Sequence, residues 1–394
     1  MIKDKIKELA AKYKDEFIEV RHHLHANPEL SFNEFETSKF IQEKLSGWNI
    51  QYQVMATTGV IGIIKGKKNN DRIVALRADM DALPIKELSD VAYRSTNDGV
   101  MHACGHDVHT TCLLGAAKIL NEIKDDWEGT VKLIFQPGEE KNPGGASLLI
   151  KEGVLKNPVP ESIFALHVNP SLPVGKLSFR SGMVMASADE IYITIKGKGG
   201  HAAAPYLTVD TILTASQLVV NLQQIVSRMN DPFNPSVLSI TSIQGGNTTN
   251  VIPSEVKLIG TFRAMNEEWR FKAHWLIKKI CKSTAEMTGA EIDLHIDVGY
   301  PFVTNDVQLT AMAKRKAIEF AGNENVEETE MRMGAEDFAF YSQLMPACFF
   351  RLGVGNKEKN INSGVHTPTF NIDENAIENG MGIMAWLAAS ASKT

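Results

Sequence analysis

The sequence has few cysteines, no long apolar run and no surplus of positive charge. Its four cysteines, Cys104, Cys112, Cys281 and Cys348, are scattered through 394 residues and form no Cys-x-x-Cys pair. That argues against a disulfide framework and for a reducing compartment. No stretch approaches the roughly 18 consecutive apolar residues of a spanning helix, so no membrane segment is expected. Met1-Ile2-Lys3-Asp4-Lys5-Ile6-Lys7-Glu8-Leu9 is charged and amphipathic and lacks the apolar core of a signal peptide, so a cytoplasmic location is expected. Lys and Arg number 41 against 47 Asp and Glu, a formal charge of −6. With no basic footprint, nucleic acid is excluded as the main partner. There is no internal repeat and no low-complexity tract.

What is present reads as a soluble chain of two to three domains at about 150 residues each. Ile2, Ile6, Leu9, Tyr13 and Phe17 recur at helical spacing, predicting a helix over residues 2–25 that Asn27-Pro28 stops. Ser31 and Glu34 fit a capping box for a second helix ending near Gly47. Continuous apolar runs at residues 59–65, 72–78, 131–136 and 162–168 suit strands buried on both faces, and a helical pattern covers 107–123. Strands alternating with helices predict an α/β domain with a mainly parallel sheet. From residue 187 the pattern changes. A half-buried strand (189–197), a helix (208–229), strands at 236–244 and 255–263, a helix (266–288) and a strand (291–298) follow in β-α-β-β-α-β order, the ferredoxin-like arrangement. A helix at 306–321, a strand at 347–353 and a helix at 373–390 return to the first style. The predicted architecture is an α/β catalytic domain with a mainly parallel mixed sheet flanked by helices (residues 1–186 and 300–394). An inserted α+β domain (187–299) interrupts it.

Several segments carry reactive side chains. In His102-Ala103-Cys104-Gly105-His106-Asp107-Val108-His109, a thiol and an imidazole stand two apart before a helix, a pairing that suits zinc and similar metals. The ordinary reading is a turn around a buried cysteine. Gln136-Pro137-Gly138-Glu139-Glu140 puts two carboxylates directly after a strand, where one can hold a metal while its neighbour acts as general base. A solvated acidic turn looks the same in sequence. His167 closes an apolar run, as a core histidine would, and His366 lies in a loop near the C-terminus. Together Cys104, His106, Glu140, His167 and His366 offer five ligands, too many for one catalytic zinc with an open position and suited to two metals sharing a bridge. Asp79 and Asp81 follow the strand at 72–78 on one face, where a carboxylate can orient a metal-bound histidine. His201, Asn250 and Arg263 lie in the insert, and spacing alone reads them as loop, turn and surface residues. His22, His23 and His25 read as structural.

These segments resemble the amidohydrolase branch of the co-catalytic dinuclear metallopeptidases. That branch includes hippurate hydrolase, N-acetyl-amino-acid deacetylases and plant auxin-conjugate hydrolases, within a wider aminoacylase and carboxypeptidase superfamily. The resemblance runs from Arg21–Leu30 through Leu76–Pro84, His102–Asp107, Gln136–Glu140, Gly199–Pro205, Asn250–Pro253 and Met333–Phe338 to Val365–Pro368. It implies two divalent cations per subunit (zinc, manganese, nickel or cobalt). Cys104 bridges them where the wider superfamily has an Asp, and His106, Glu140, His167 and His366 complete the set. Glu139 is implied as general base, and Asp81 as the residue that orients the base or a ligand. Asp79 falls where the superfamily has a ligating His. His201 is implied as an oxyanion stabiliser, in its own or a partner's site, and Asn250 and Arg263 as the grip on a substrate carboxylate. The insert is implied as lid and as the contact of a homodimer or homotetramer. The implied reaction hydrolyses the amide of a small N-acyl amino acid, with a dipeptidase or carboxypeptidase as rival. A non-catalytic metal-binding protein is the rival from another class.

Overall fold

The computed structural model describes residues 1–391, which pack as two compact units. Met1–Val184, Thr304–Met331 and the chain from Asp337 onward form the first, and Met185–Val303 with Arg332–Glu336 the second.

The first unit opens with α1 (Ile2–Ala26), α2 (Phe35–Gly47), β1 (Gln51–Met55), β2 (Gly59–Lys65) and β3 (Lys68–Asp79). Next come α3 (His106–Glu122), β4 (Glu128–Gln136), α4 (Gly145–Glu152), β5 (Ser162–Pro173), β6 (Leu177–Phe179) and β7 (Gly182–Met185). The second unit holds β8 (Asp189–Lys196), β9 (Gly200–His201), α5 (Thr211–Arg228), β10 (Ser236–Gln244), β11 (Val251–Ile252), β12 (Glu255–Ala264), α6 (Glu267–Thr288) and β13 (Glu291–Val298). Then follow β14 (Val303–Asn305), α7 (Val307–Ala321), β15 (Val326–Glu328), α8 (Ala339–Ser342), β16 (Ala347–Gly355) and α9 (Asn375–Ala391).

An eight-stranded mixed sheet in the order β1-β2-β4-β3-β5-β16-β6-β15 is the frame of the first unit. Its centre, β4-β3-β5-β16, is parallel throughout. The apolar runs explain this placement: every residue of β16 is buried, as are Val131 to Gln136 of β4. Helices α1, α3 and α9 pack on one another in the core that includes Phe17, Leu113, Leu114, Met381 and Met384. The expected α/β architecture is therefore present. Sequence patterning missed the edge strand β1, whose residues are almost all exposed, and short elements such as α4, β6 and β15. It also ended β5 too early, because the strand continues past Val168 to Pro173.

The expected capping box does not form. No side-chain cap bond starts α2. Instead Ser31 Oγ donates to Asp81 Oδ2 at 2.6 Å, and Glu34 is fully buried with its carboxylate turned inward. The reason is energetic, since a cap on an exposed helix end is worth about 1 kcal/mol, less than leaving buried N–H groups unpaired.

In the second unit, β10-β12-β8-β13 form an antiparallel sheet. Strict alternation builds it: Ile191, Ile193 and Ile195 face the core while Glu190, Tyr192 and Lys196 face out. Helix α5 adds Ala215, Leu218, Leu222 and Ile225, and α6 adds Trp269, Ala273 and Ile277. Asp210 and Asn266 cap these helices by accepting from Leu213 N and Trp269 N.

One buried ion pair anchors this unit. Arg270 donates to both Asp189 oxygens (2.9 and 2.5 Å) and to the Gly299 carbonyl at 3.0 Å, while His274 Nε2 lies 2.8 Å from Asp189 Oδ2. Burial alone would raise the Asp189 carboxyl, but the hydrogen bonds from His274 and Arg270 hold it below its usual range. Its stabilisation is therefore complete above the ordinary carboxylate range and is lost as pH falls through the depressed value. Arg270→Ala should cost this unit about 3–5 kcal/mol by stranding Asp189. Hydrogen exchange in β8 and α6 measures it, and exchange at the wild-type rate would show the pair to be dispensable.

Candidate active site

The parallel centre of the large sheet brings the carboxyl ends of β4, β3, β5 and β16 to one edge, the usual place for a site in such sheets. Glu139 and Glu140 follow β4, Asp79 ends β3 with Asp81 just beyond, and His167 lies in β5. His366 sits between β16 and α9, with its N–H bonded to the Ala103 carbonyl at 2.7 Å. Cys104 and His106 flank Gly105, the residue before α3. Gly105 has φ 86°, and a Cβ there would lie 2.5 Å from the Val168 side chain, so glycine alone allows this approach.

Of the five groups of three possible ligands among the described residues, two consist wholly of the expected metal ligands: Cys104, His106 and His167, and Cys104, Glu140 and His366. Within each group the ligand atoms lie within 4.8 Å of one another. Cys104 belongs to both. Its Sγ is 3.5 Å from His167 Nε2 and 3.3 Å from His366 Nε2. His366 Nε2 is also 3.3 Å from Glu140 Oε1. Glu139, buried beside them, has Oε2 3.9 Å from His106 Nε2, and its Oε1 accepts the Asp337 N–H at 3.4 Å.

The histidines are oriented through their far nitrogens. His106 Nδ1 bonds Asp81 Oδ1 at 3.1 Å, and His167 Nδ1 bonds the Val168 carbonyl at 2.8 Å. Each bond occupies Nδ1 and leaves Nε2 as the nitrogen available to a metal. His109 is different. Its Nδ1 bonds Asp79 at 2.5 Å and its Nε2 accepts the Val168 N–H at 3.0 Å, so both nitrogens are already used.

The residues fit divalent cations. His106 Nε2 is buried without a hydrogen-bond partner, an expensive condition that a cation relieves. Burial, then the Glu140 carboxylate, push the Cys104 thiol above its usual range, and an adjacent cation reverses that direction. Burial, then Arg351, push His167 well below the usual imidazole range, keeping it neutral as a ligand must be. Hydrogen bonds to Cys104 and Glu140 push His366 up to about 10, and a cation takes over that role.

A model of the peptidase family M20/M25/M40 matches residues 75–390. The chain belongs to that family. An N-acyl-L-amino acid amidohydrolase of Geobacillus stearothermophilus is 42% identical over 306 residues, covering 77% of this chain and 82% of that one. Thermostable carboxypeptidase 2 of Saccharolobus solfataricus is 38% identical, covering 99% of this chain and 98% of that one. The crystal structure of Bacillus subtilis YXEP, described as a dinuclear metal binding peptidase, superposes with a TM-score of 0.84 at 34% identity, covering 98% and 99%. The chain is thus a hydrolase, and its family includes a dinuclear metal binder.

In this M20 chain the second unit places its three expected residues unevenly. His201 and Asn250 come together, because Val251 pairs with His201 and the Asn250 carbonyl accepts the Ala202 N–H at 3.0 Å. Both are exposed. Arg263 lies near the other end of β12, eight residues past Glu255, roughly 27 Å along the strand. One insert therefore does not gather all three.

Sequence reasoning missed the supports. Arg77 is buried and donates to Gln136 Oε1 (3.0 Å), Asp79 Oδ2 (2.5 Å) and Asp337 Oδ1 (2.7 Å). Gln136 donates in turn to both Asp337 oxygens at 2.8 Å. A lone arginine inside an apolar strand was the available signal, since a buried Arg needs carboxylates. Asp79 is thus the counter-charge of Arg77. Burial alone would raise its carboxyl, but His106, Arg77 and His109 hold it well below its usual range. Asp79→Asn should destabilise the fold by about 3–5 kcal/mol with or without added metal. Urea unfolding checks it, and a midpoint equal to wild type would remove Asp79 from the structural pairs.

Proposed function

We propose that the protein hydrolyses the amide bond of small N-acyl amino acids, N-acetyl or N-benzoyl among them, releasing a carboxylic acid and a free amino acid. One observation carries this reading: Cys104 is common to two ligand triads, with the Glu139 carboxylate beside them. Cys104, His106 and His167 would hold one divalent cation, and Cys104, Glu140 and His366 the other. The mixed sulfur, nitrogen and oxygen set favours zinc, nickel, cobalt or manganese over calcium or magnesium. When bound, such ions supply Lewis acidity to the attacking water and to the scissile carbonyl.

The chain's own residues do the rest. Glu139 accepts a proton from the water as its oxygen bonds to the amide carbon. The C–N bond then breaks, and Glu139 returns the proton to the leaving nitrogen. Asp81 fixes the His106 ring, and the Asp337 N–H fixes Glu139. His201 donates to the developing oxyanion, and Asn250 and Arg263 hold the free carboxylate of the substrate.

The insert is proposed as lid and dimer contact of a cytoplasmic enzyme whose four cysteines are free. Strand β10 is an edge of its sheet and exposes Val237 and Ile243, while α5 exposes Ile212, Leu213 and Val220. A two-fold pairing across β10 sets the Asn250 end of one sheet against the Arg263 end of the other, because isologous contacts join opposite ends. That arrangement supplies both grips from different copies.

The similarity to a carboxypeptidase sustains a second reading, C-terminal cleavage of peptides. Both substrates carry a free carboxylate beside the amide, so only the acyl side discriminates. Metal-loaded protein should cleave N-acyl amino acids faster than dipeptides or longer peptides; the opposite ranking favours the carboxypeptidase. Glu139→Gln should keep its cations yet lose about 10²–10⁴-fold in kcat, and near-normal turnover would end its role as base. Mixing Glu139→Gln with His201→Ala subunits should restore about a quarter of wild-type activity if His201 serves the partner's site. No recovery after verified exchange would assign it to its own chain.

A further inference from the structure

Glu34 is an expensive residue that the reaction above does not use. It is fully buried, and its charge is met by neutral donors: Oε1 accepts the Phe32 N–H and the Gly138 N–H, each at 2.8 Å, and Oε2 accepts the Thr58 hydroxyl at 2.7 Å. Burial, then the nearby Asp81 carboxylate, push its carboxyl up to about 7. As a helix cap it would have sat in water at no such cost.

What it holds is the N–H of Gly138, the residue just before Glu139. The N–H of the residue just after is held in the same way, since Glu140 N donates to Asp81 Oδ2 at 3.0 Å, the oxygen that also accepts Ser31 Oγ. The two clamps are therefore joined through the short segment Ser31–Glu34. Phe32 adds a third restraint. It adopts φ 67°, a left-handed conformation that few non-glycine residues take, and its ring covers Gly138 so closely that a Cβ there would fall 2.2 Å from Cε1. Gly138 itself has φ 57°. Strain of this kind persists where the surroundings over-determine it.

We propose that Ser31–Glu34 is a positioning segment for Glu139, with Glu34 and Asp81 gripping the N–H groups on either side and Phe32 closing over Gly138. The inference rests on Glu139 being the general base. A base displaced by about an ångström loses on the order of 10²-fold in rate, and the carboxylate grip removes that freedom. Glu34, Ser31 and Phe32 act through the backbone of the turn.

The test compares Glu34→Ala, Glu34→Gln and Phe32→Gly in the full chain. Glu34→Ala should lower kcat about 10²-fold, with KM within about threefold and cation content at the wild-type level. Glu34→Gln keeps an acceptor oxygen for Gly138, and the Thr58 hydroxyl can turn to accept its amide, so it should recover kcat to within about fivefold of wild type. Phe32→Gly tolerates the left-handed backbone yet loses the ring, and should cost about tenfold. Should Glu34→Ala not fold, the other two variants carry the comparison. Amide exchange over residues 136–141 of the metal-free chain provides a readout independent of turnover. It should quicken in Glu34→Ala and Phe32→Gly and stay near wild type in Glu34→Gln. Wild-type kcat in Glu34→Ala, unchanged exchange in that segment, or a loss of rate that tracks lost metal would each overturn the proposal. If Glu139→Gln turns over normally, the base assignment fails and this inference with it. If Glu139→Gln is inactive while Glu34→Ala is not slowed, only this inference fails.

Discussion

Negative charge is crowded into the interior where β3 and β4 end. Asp79, Asp81, Glu139, Asp337 and Glu34 are all buried there, with Glu140 at the margin. A desolvated carboxylate survives only with strong partners, and these differ in kind from one carboxylate to the next. Arg77 stands between Asp79 and Asp337, His106 answers Asp81, and Glu34 relies on N–H and O–H groups alone. Behind the start of α3, Arg21 and His25 answer Asp107, which is held far below its usual range despite burial. Glu140, at the margin, lies in the triad with Cys104 and His366, facing the His366 imidazole at 3.3 Å.

That constraint explains which parts of the molecule were legible in the sequence. The ligand residues stood out because thiol, imidazole and carboxylate at strand ends have few structural uses together. The long helices and central strands were legible because burial on one or both faces leaves a periodic trace. The supports were not. Asp79 read as a carboxylate that could orient a metal-bound histidine, and its pairing with Arg77, two residues away in the same strand, left no trace in the pattern. Ser31 and Glu34 have the spacing of a capping box, and spacing cannot tell whether a side chain turns toward a helix end or toward a loop more than a hundred residues later. Gln136 and Asp337 carry no signal of their own, since their role exists only once the sheet brings them to Arg77.

The second unit teaches the same lesson about distance. His201, Asn250 and Arg263 were joined only by the roles that the family resemblance implies, an oxyanion stabiliser and two grips on a carboxylate. The sheet separates them, because β9 and β11 hook onto one end while Arg263 rides β12 to the other. Strand rise turns an eight-residue interval into most of a domain's width. If the three act together as proposed, a two-fold assembly across the exposed β10 edge would be one way to reunite them.

Catalysis by a carboxylate base makes a demand that metal ligation does not. A ligand is drawn into place by the ion it binds, so some looseness in its loop is corrected on binding. A general base has no such guide, because its partner is a water molecule consumed in the reaction. Its position must be set by the protein alone, before substrate arrives. In this chain the turn carrying Glu139, the proposed base, is held by carboxylates on the N–H groups of both neighbouring residues and by the Asp337 N–H on its own side chain. Under that proposal, acids that hold serve to place the one acid that moves a proton, which would account for so much buried negative charge around so small a turn.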